Sequence, residues 1–247
     1  MANRFGQGRA RVVLLGLGGL GCPAALALCE EARAREMPIE LVLVDDDRVD
    51  RSNLARQTLY GPADLGRLKV DAAAEALREL APGAPVEVVS VAQRFDEDTE
   101  QNLLKGASLL LDGTDSFATR FLANDRALAA GVALVHGAAL GWTGQLLSIL
   151  PGGPCLRCLF EGPPPPGSVP ACAEAGVAGP LCAMVGAAMA AEGARILAGE
   201  LPRAQRGLLR WDGLVGLVRA VSIPRDPTCP ACGAATRAGA PRGDATA

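Results

Sequence analysis

Eight cysteines stand in the chain, and four fall into two C-x-x-C knuckles: Cys155 and Cys158 in CLRC, Cys229 and Cys232 in CPAC. Thiolates at that spacing reach one ion from a single tight turn. Two such turns complete a tetrahedral four-sulfur set, which suits structural Zn2+. The knuckles lie far apart in the chain, so a shared zinc would pin the C-terminal end onto the middle. A redox pair in each motif is the rival reading. Cys22, Cys29 and Cys182 fall in helix-like segments and read as small packing residues. Cys172 differs: PACAEAGVAGP puts it in a loop after the proline run at 163–166, where a thiol can be exposed and moved.

A second group of residues suits a nucleotide. GLGGLGCP at 16–23 follows the apolar run RVVLL, and Gly16, Gly18 and Gly21 fit G-x-G-x-x-G between a strand and a helix. Such glycines let backbone N–H groups approach phosphates at a helix N-terminus. Asp45 closes the next apolar run, where an acid receives ribose hydroxyls. These features alone do not choose between NAD and ATP.

The following stretch, DDDRVDRSNLARQTLY at 45–60, places Arg48, Arg51, Asn53, Arg56 and Gln57 directly after that acid. A site that expels pyrophosphate needs cations there, whereas a hydride-transfer site needs few. For the arginines alone, a solvated charged loop is the alternative. Of 24 basic residues only Lys69 and Lys105 are lysine, so a compact ammonium at 69 asks for a reason. In LDGTD, Asp112 and Asp115 compete as the carboxylate for a divalent cation, and either could instead cap a helix. His136 is the one histidine; it follows VALV with no second base nearby and reads as a structural residue.

These residues need a frame. Apolar runs at 11–17, 39–45, 86–91, 108–114 and 132–138 alternate with helical patterns at 20–35, 66–81, 96–106 and 116–131. That alternation predicts a parallel sheet covered on both faces. After residue 140 the pattern changes to antiparallel-type strands in GQLLSIL, RGLLRWDG and GLVRAVSI, with one long apolar helix over about 180–199. The fold class expected is α/β: a Rossmann-like, mostly parallel sheet with helices on both faces, continued by antiparallel strands and a four-cysteine zinc site. We expect one domain over 1–233, with a nucleotide half at 11–140 and a second half, carrying the zinc site, at 141–233. The tail at 234–247 has the composition of a disordered segment.

Bulk properties remove several classes. Across 247 residues the net charge is −3, so no broad basic face for nucleic acid is implied. No signal-peptide pattern opens the chain, and no window of about 18 residues is free of charges and breakers, so no membrane association and a cytoplasmic location are expected.

GLGGLGCP, DDDRVDRSNLARQTLY, GRLKVDAA and LDGTD together resemble the ThiF/MoeB/HesA family, relatives of the ubiquitin-activating enzyme, over about residues 10 to 233. The resemblance implies ATP-dependent adenylation of the C-terminal glycine of a small ubiquitin-like sulfur carrier protein ending in Gly-Gly, by a homodimer. It implies that Gly16, Gly18, Gly19, Gly21, Asp45, Asp47, Asn53, Arg56, Gln57, Lys69 and Asp115 bind ATP. Arg56, Lys69, Asp115 and Cys172 would be catalytic, with Mg2+ on Asp115 and Zn2+ on Cys155, Cys158, Cys229 and Cys232. Cys172 matches the cysteine that attacks the acyl-adenylate or forms an acyl-persulfide. The apolar stretch 137–147, with Trp142, is the candidate channel for the carrier's tail.

The chain departs from the family pattern in three places. The helical arm before the first strand is mostly missing, with only Arg4 near its arginine. Ser116 stands where asparagine is usual, and His136 where a small residue is usual. The chain also has no rhodanese-like extension and no terminal Gly-Gly, so it reads as neither a self-contained sulfurtransferase nor a carrier. Three alternatives remain: a zinc-stabilised binding or scaffold protein, an NAD-dependent oxidoreductase, and the tRNA-modifying cyclic dehydratase branch of the family.

Overall fold

The computed structural model describes residues 8–165, 176–205 and 207–233; Arg4, Cys172 and the tail from Ala234 lie outside them. Eight strands form one sheet in the order β3-β2-β1-β4-β5-β6-β7-β8. The first five, β1 (Ala10–Leu15), β2 (Ile39–Val44), β3 (Val86–Val91), β4 (Leu109–Asp112) and β5 (Ala133–Leu140), run parallel. The last three, β6 (Thr143–Ile149), β7 (Gly207–Asp212) and β8 (Leu217–Ser222), are antiparallel. The two halves expected from the sequence are thus one continuous sheet. They join at a hairpin whose tip is Gly141 and Trp142, with Leu140 paired to Thr143.

Among the described residues the α-helices are α1 (Gly21–Ala34), α2 (Lys69–Leu80), α3 (Glu100–Leu104), α4 (Phe117–Ala130), α5 (Leu156–Leu159) and α6 (Gly179–Leu197). One core layer carries Leu14, Leu28, Leu41, Leu77, Val185 and Met189; the other carries Val13, Leu15, Leu110, Phe121, Leu134 and Leu147. Central strands are apolar at successive positions because each face is covered. Each fully buried leucine contributes about 1.5–3 kcal/mol.

Two elements differ from the pattern reading. The helix expected at 96–106 shortens to Glu100–Leu104 because Asp96 Oδ1 accepts from Asp98 N (3.1 Å) and Thr99 N (3.0 Å). Those side-chain bonds hold a turn in competition with the helix. The four-residue α5 was not expected: it is the CLRC knuckle itself.

The long helix α6 has the length and hydropathy of a membrane span, but 61% of that window is buried inside the protein. Its apolar surface is taken up by α1 and the sheet. Gly186 makes the approach possible, since a Cβ there would lie 2.4 Å from the Leu20 carbonyl oxygen. This contact brings the N-terminus of α6 beside the turn that opens α1.

Candidate active site

The strand order reverses at β1, which has β2 on one side and β4 on the other. Ligands of open α/β sheets bind beyond the strand ends at such a point. A cleft of about 370 Å³ lies there, lined by Gly16, Gly18, Gly19, Asp45, Asp47, Asn53, Arg56, Gln57, Lys69 and Asp115. Ten of the eleven residues expected to bind nucleotide therefore meet in one cavity.

Gly21, the eleventh, works beneath the cleft: a Cβ on it would sit 1.8 Å from the Gly16 carbonyl oxygen. Gly16 itself has φ +80, which L side chains rarely adopt, and its N–H donates to Val44 O at 2.9 Å. The turn is closed from below, and Gly18, Gly19 and Leu20, which lead into α1, line the cavity.

Asp45 follows β2 directly. Its Oδ2 accepts from Leu17 N at 2.6 Å and its Oδ1 from Asp47 N at 2.8 Å, which ties it to the glycine turn. Burial pushes its carboxyl above the ordinary value, against the pull of Lys69 and the two N–H donors. A carboxylate offers about four acceptor positions, so two remain for further donors.

Lys69 is the first residue of α2 and is buried. Its Nζ donates to Asp47 Oδ2 at 2.7 Å and stands 3.8 Å from Asp45 Oδ1. Tyr60, the sole tyrosine, is also buried; its hydroxyl lies 3.1 Å from Leu17 O and 3.3 Å from Lys69 O. It joins the glycine turn to the base of α2, a tie that nothing local in the sequence announces.

The charged stretch after β2 is ordered by its own side chains. Asp50, in extended backbone, accepts from Ser52 N (2.8 Å) and Oγ (2.6 Å), capping a 3-10 turn at Arg51–Asn53. Asn53 Oδ1 then receives Arg56 Nη2 at 2.6 Å, and Ser52 O receives Nη1 at 3.2 Å. Arg56 is thus held against the cleft wall, not loose in solvent. Gln57 is 3% exposed, and its Oε1 is buried with no hydrogen-bond partner among the described residues. An acceptor left in that state costs about 1–3 kcal/mol until a donor arrives.

The two candidate aspartates separate clearly. Asp112 is fully buried and its oxygens are engaged by Thr114 and His136. Asp115 is exposed in the cleft wall with no partner among the described residues. Ser116, in the position of the usual asparagine, caps α4 by accepting from Thr119 N at 3.3 Å. Cleft residues not singled out from the sequence include Arg94, whose Nη2 reaches Asp46 Oδ2 at 3.2 Å, and Arg120, which donates twice to Thr114 O. Arg120 stands four residues after the cap Ser116, so the first helical turn of α4 aims it back at the strand end.

Cys22 and Cys29 are packed as expected, with burial pushing their thiols up to about 12 and about 11. Cys182 is equally buried but sits at the cleft: a Cβ added to Gly19 would lie 3.2 Å from its Sγ.

The four knuckle sulfurs converge within 4.8 Å of one another. Cys155 Sγ is 3.6 Å from Cys229 Sγ, and Cys158 Sγ is 3.4 Å from Cys232 Sγ. Those spacings exclude disulfides, whose S–S bond is about 2.05 Å. They approach the ~3.8 Å edge of a tetrahedron with Zn–S bonds of ~2.3 Å. Separate redox motifs would have no reason to meet across two distant segments. α4 supports the first knuckle: Asn124 Oδ1 accepts from Leu156 N at 2.9 Å, and Asp125 pairs with Arg157 at 2.8 Å. The residues present fit a zinc ion.

Known proteins share both the sequence and the fold that build this cleft. Residues 7–231 match the model of the ThiF family. The chain belongs to the ThiF family. The SAMP-activating enzyme E1 of Haloferax volcanii is 40% identical over 231 residues, covering 92% of this chain and 83% of that protein. The sulfur carrier protein adenylyltransferase of Thermus thermophilus is 42% identical over 231 residues, covering 91% and 83%. The mouse adenylyltransferase and sulfurtransferase MOCS3 is 41% identical over 226 residues, covering 91% of this chain but 48% of that one. Among solved structures, E. coli MccB with MccA-N7isoASN superposes with a TM-score of 0.78 at 19% identity, covering 91% of this chain and 67% of that one. The MccB complex with ATP gives 0.76 at 19% identity. At that identity the likeness speaks for the ThiF-type fold alone.

Proposed function

We propose that this chain is an adenylyltransferase that joins AMP from ATP to the C-terminal glycine of a ubiquitin-like sulfur carrier protein and releases pyrophosphate. It acts as a homodimer in the cytoplasm, with residues 1–233 as the adenylation unit. The observation that carries the reading is the convergence of Arg56, Lys69 and Asp115 on the cleft whose floor is the glycine turn and Asp45.

In this reading the ribose hydroxyls donate to the free positions of Asp45, and the phosphates lie along the N–H groups at the start of α1. The carrier's C-terminal carboxylate is ionised at neutral pH, so its attack on the α-phosphorus needs no general base. Arg56 and Lys69 offset the charge that builds on the leaving pyrophosphate. Lys69 already faces Asp47 at 2.7 Å, so the phosphates and Asp47 compete for one ammonium. Mg2+, held by Asp115, supplies further charge neutralisation when bound. Gln57 and Asn53 set the geometry of the phosphate end. Zn2+ on the four knuckle thiolates is structural: it fixes the segment after β8 to the helix-capped loop after β6.

The carrier would lie along the apolar edge beside the cleft. Trp142, Leu214, Val215, Leu217 and Val218 are all exposed there, and the hairpin tip after β7 donates Gly213 N to Trp142 O at 2.7 Å. A second stage is assigned to Cys172: its thiolate attacks the carbonyl of the acyl-adenylate, forming a thioester and releasing AMP.

The direct test is mass spectrometry of Gly-Gly-ending carriers after incubation with the protein, ATP, Mg2+ and pyrophosphatase. One carrier gaining the mass of an AMP residue is the expected result. If no carrier is adenylated by protein that binds ATP and carries full zinc, the reading fails in favour of a zinc-stabilised scaffold. Cys172→Ala is expected to form the adenylate within about twofold of the parent rate while losing the covalent carrier–enzyme adduct on non-reducing gels.

A further inference from the structure

Under the turn that carries Asp115 lies a buried network that the adenylation reading does not use. Asp112 ends β4 with no exposed surface. Its Oδ1 accepts from Thr114 N at 3.0 Å and from Thr114 Oγ1 at 2.7 Å. Its Oδ2 is 2.8 Å from Nδ1 of His136, and the register of β4 with β5 pairs these two residues directly. Arg120 donates Nε (3.0 Å) and Nη2 (2.8 Å) to Thr114 O. The amide, the hydroxyl and the carbonyl of Thr114 are therefore all held. The next residue, Asp115, projects from that clamped turn into the cleft with its carboxylate unengaged among the described residues.

The chemistry of the network fixes its protons. A carboxylate buried this completely is tolerated only when donors surround it. Complete burial pushes the Asp112 carboxyl up, but the bond from His136, the Arg120 charge and the Thr114 hydroxyl outweigh it and hold it below the ordinary value. An ionised carboxylate only accepts, so Nδ1 of His136 must carry a hydrogen. The turn also supports the glycine loop, because a Cβ at Gly16 would meet Thr114 Cγ2 at 3.2 Å.

We propose that His136 is a positioning residue for the reaction: its Nδ1–H locks Asp112, Asp112 locks Thr114, and the clamped turn aims Asp115 at the metal-bearing end of the cleft. The inference rests on the reading that Asp115 holds Mg2+. A histidine that merely fills the core would support stability without affecting the metal requirement. A positioning histidine shifts the metal requirement, and does so through its one N–H donor.

The test is a Mg2+ titration on the full chain, read both by carrier-dependent ATP–pyrophosphate exchange and by the Mg2+ dependence of ATP binding in calorimetry. The variants are His136→Leu, His136→Asn and Asp115→Ala. Asparagine places an amide N–H near Nδ1, so it keeps the donor, whereas leucine keeps bulk and loses it. His136→Leu is expected to raise the Mg2+ concentration for half-maximal rate roughly tenfold, in the range found when outer-shell partners of a metal ligand are removed. His136→Asn is expected to stay within about twofold, and Asp115→Ala to shift at least as far as the leucine variant. Thr114→Val, which removes only the hydroxyl bonded to Asp112, provides a second probe should the leucine variant fold poorly; it is expected to shift the same way by about threefold. A shifted Asp115→Ala curve with unshifted His136→Leu and Thr114→Val curves, or an asparagine variant no better than leucine, would overturn the role of His136. An unshifted Asp115→Ala curve would overturn the metal assignment itself, and the inference with it.

Discussion

The cysteine cluster and the glycine-turn cleft are both assembled from segments distant in the chain, and they satisfy their polar atoms in opposite ways. In the cluster four sulfurs face one another within 4.8 Å, and Asp226 N donates to Cys158 Sγ at 3.4 Å. Among the described residues nothing there waits for a large partner, and the spacing suits a single ion. In the cleft Gln57 Oε1 is buried without a donor among the described residues, Asp115 is open, and Lys69 is shared between two carboxylates. The difference separates a site that holds the chain together from one that keeps groups available for a ligand that comes and goes.

Substitutions can break that contrast or sharpen it. The largest effect expected is from Gly21→Ala, where the new Cβ would meet the Gly16 carbonyl oxygen at 1.8 Å. The glycine turn cannot close around it, so we expect more than about 3 kcal/mol lost in denaturant unfolding, together with ATP binding. Arg56→Ala should leave the fold and zinc content intact while lowering pyrophosphate exchange by about 10²–10³. Cys229→Ser should do the reverse. Zinc by elemental analysis would fall to background and thermal unfolding would drop by ~10 °C. Exchange at low temperature would stay within about threefold of the parent. Trp142→Ala should be mildest, raising the KM for the carrier about tenfold with the KM for ATP unchanged. If Cys229→Ser abolished exchange in folded protein, or Arg56→Ala released zinc, the two sites would not be separate devices.

What could be read from the sequence was what is local in it. The glycine turn, Asp45 and the SNLARQ stretch are short segments whose spacing reflects their chemistry, and they meet in the cleft as expected. The knuckles were equally legible, because each pair of cysteines comes from one turn. Strand limits at Val86–Val91 agree with the pattern, since alternating and apolar runs end where turn residues begin. What stayed hidden depends on register and on helix phase. Arg120 reaches Thr114 only because α4 starts at Phe117, and Tyr60 ties Leu17 to Lys69 across segments far apart in sequence. His136 was legible as a structural residue, but its partner Asp112 follows from the β4–β5 pairing alone. α5 is one helical turn and carries no periodicity to detect.

The most direct measurement is ATP–pyrophosphate exchange by purified protein with Mg2+, across a panel of small ubiquitin-like proteins ending in Gly-Gly. The account predicts exchange that requires one such carrier and falls by about 10²-fold or more in Arg56→Ala and, at limiting Mg2+, in Asp115→Ala. Protein that binds ATP and holds zinc yet exchanges with no carrier, or exchanges equally well without Arg56, would contradict it.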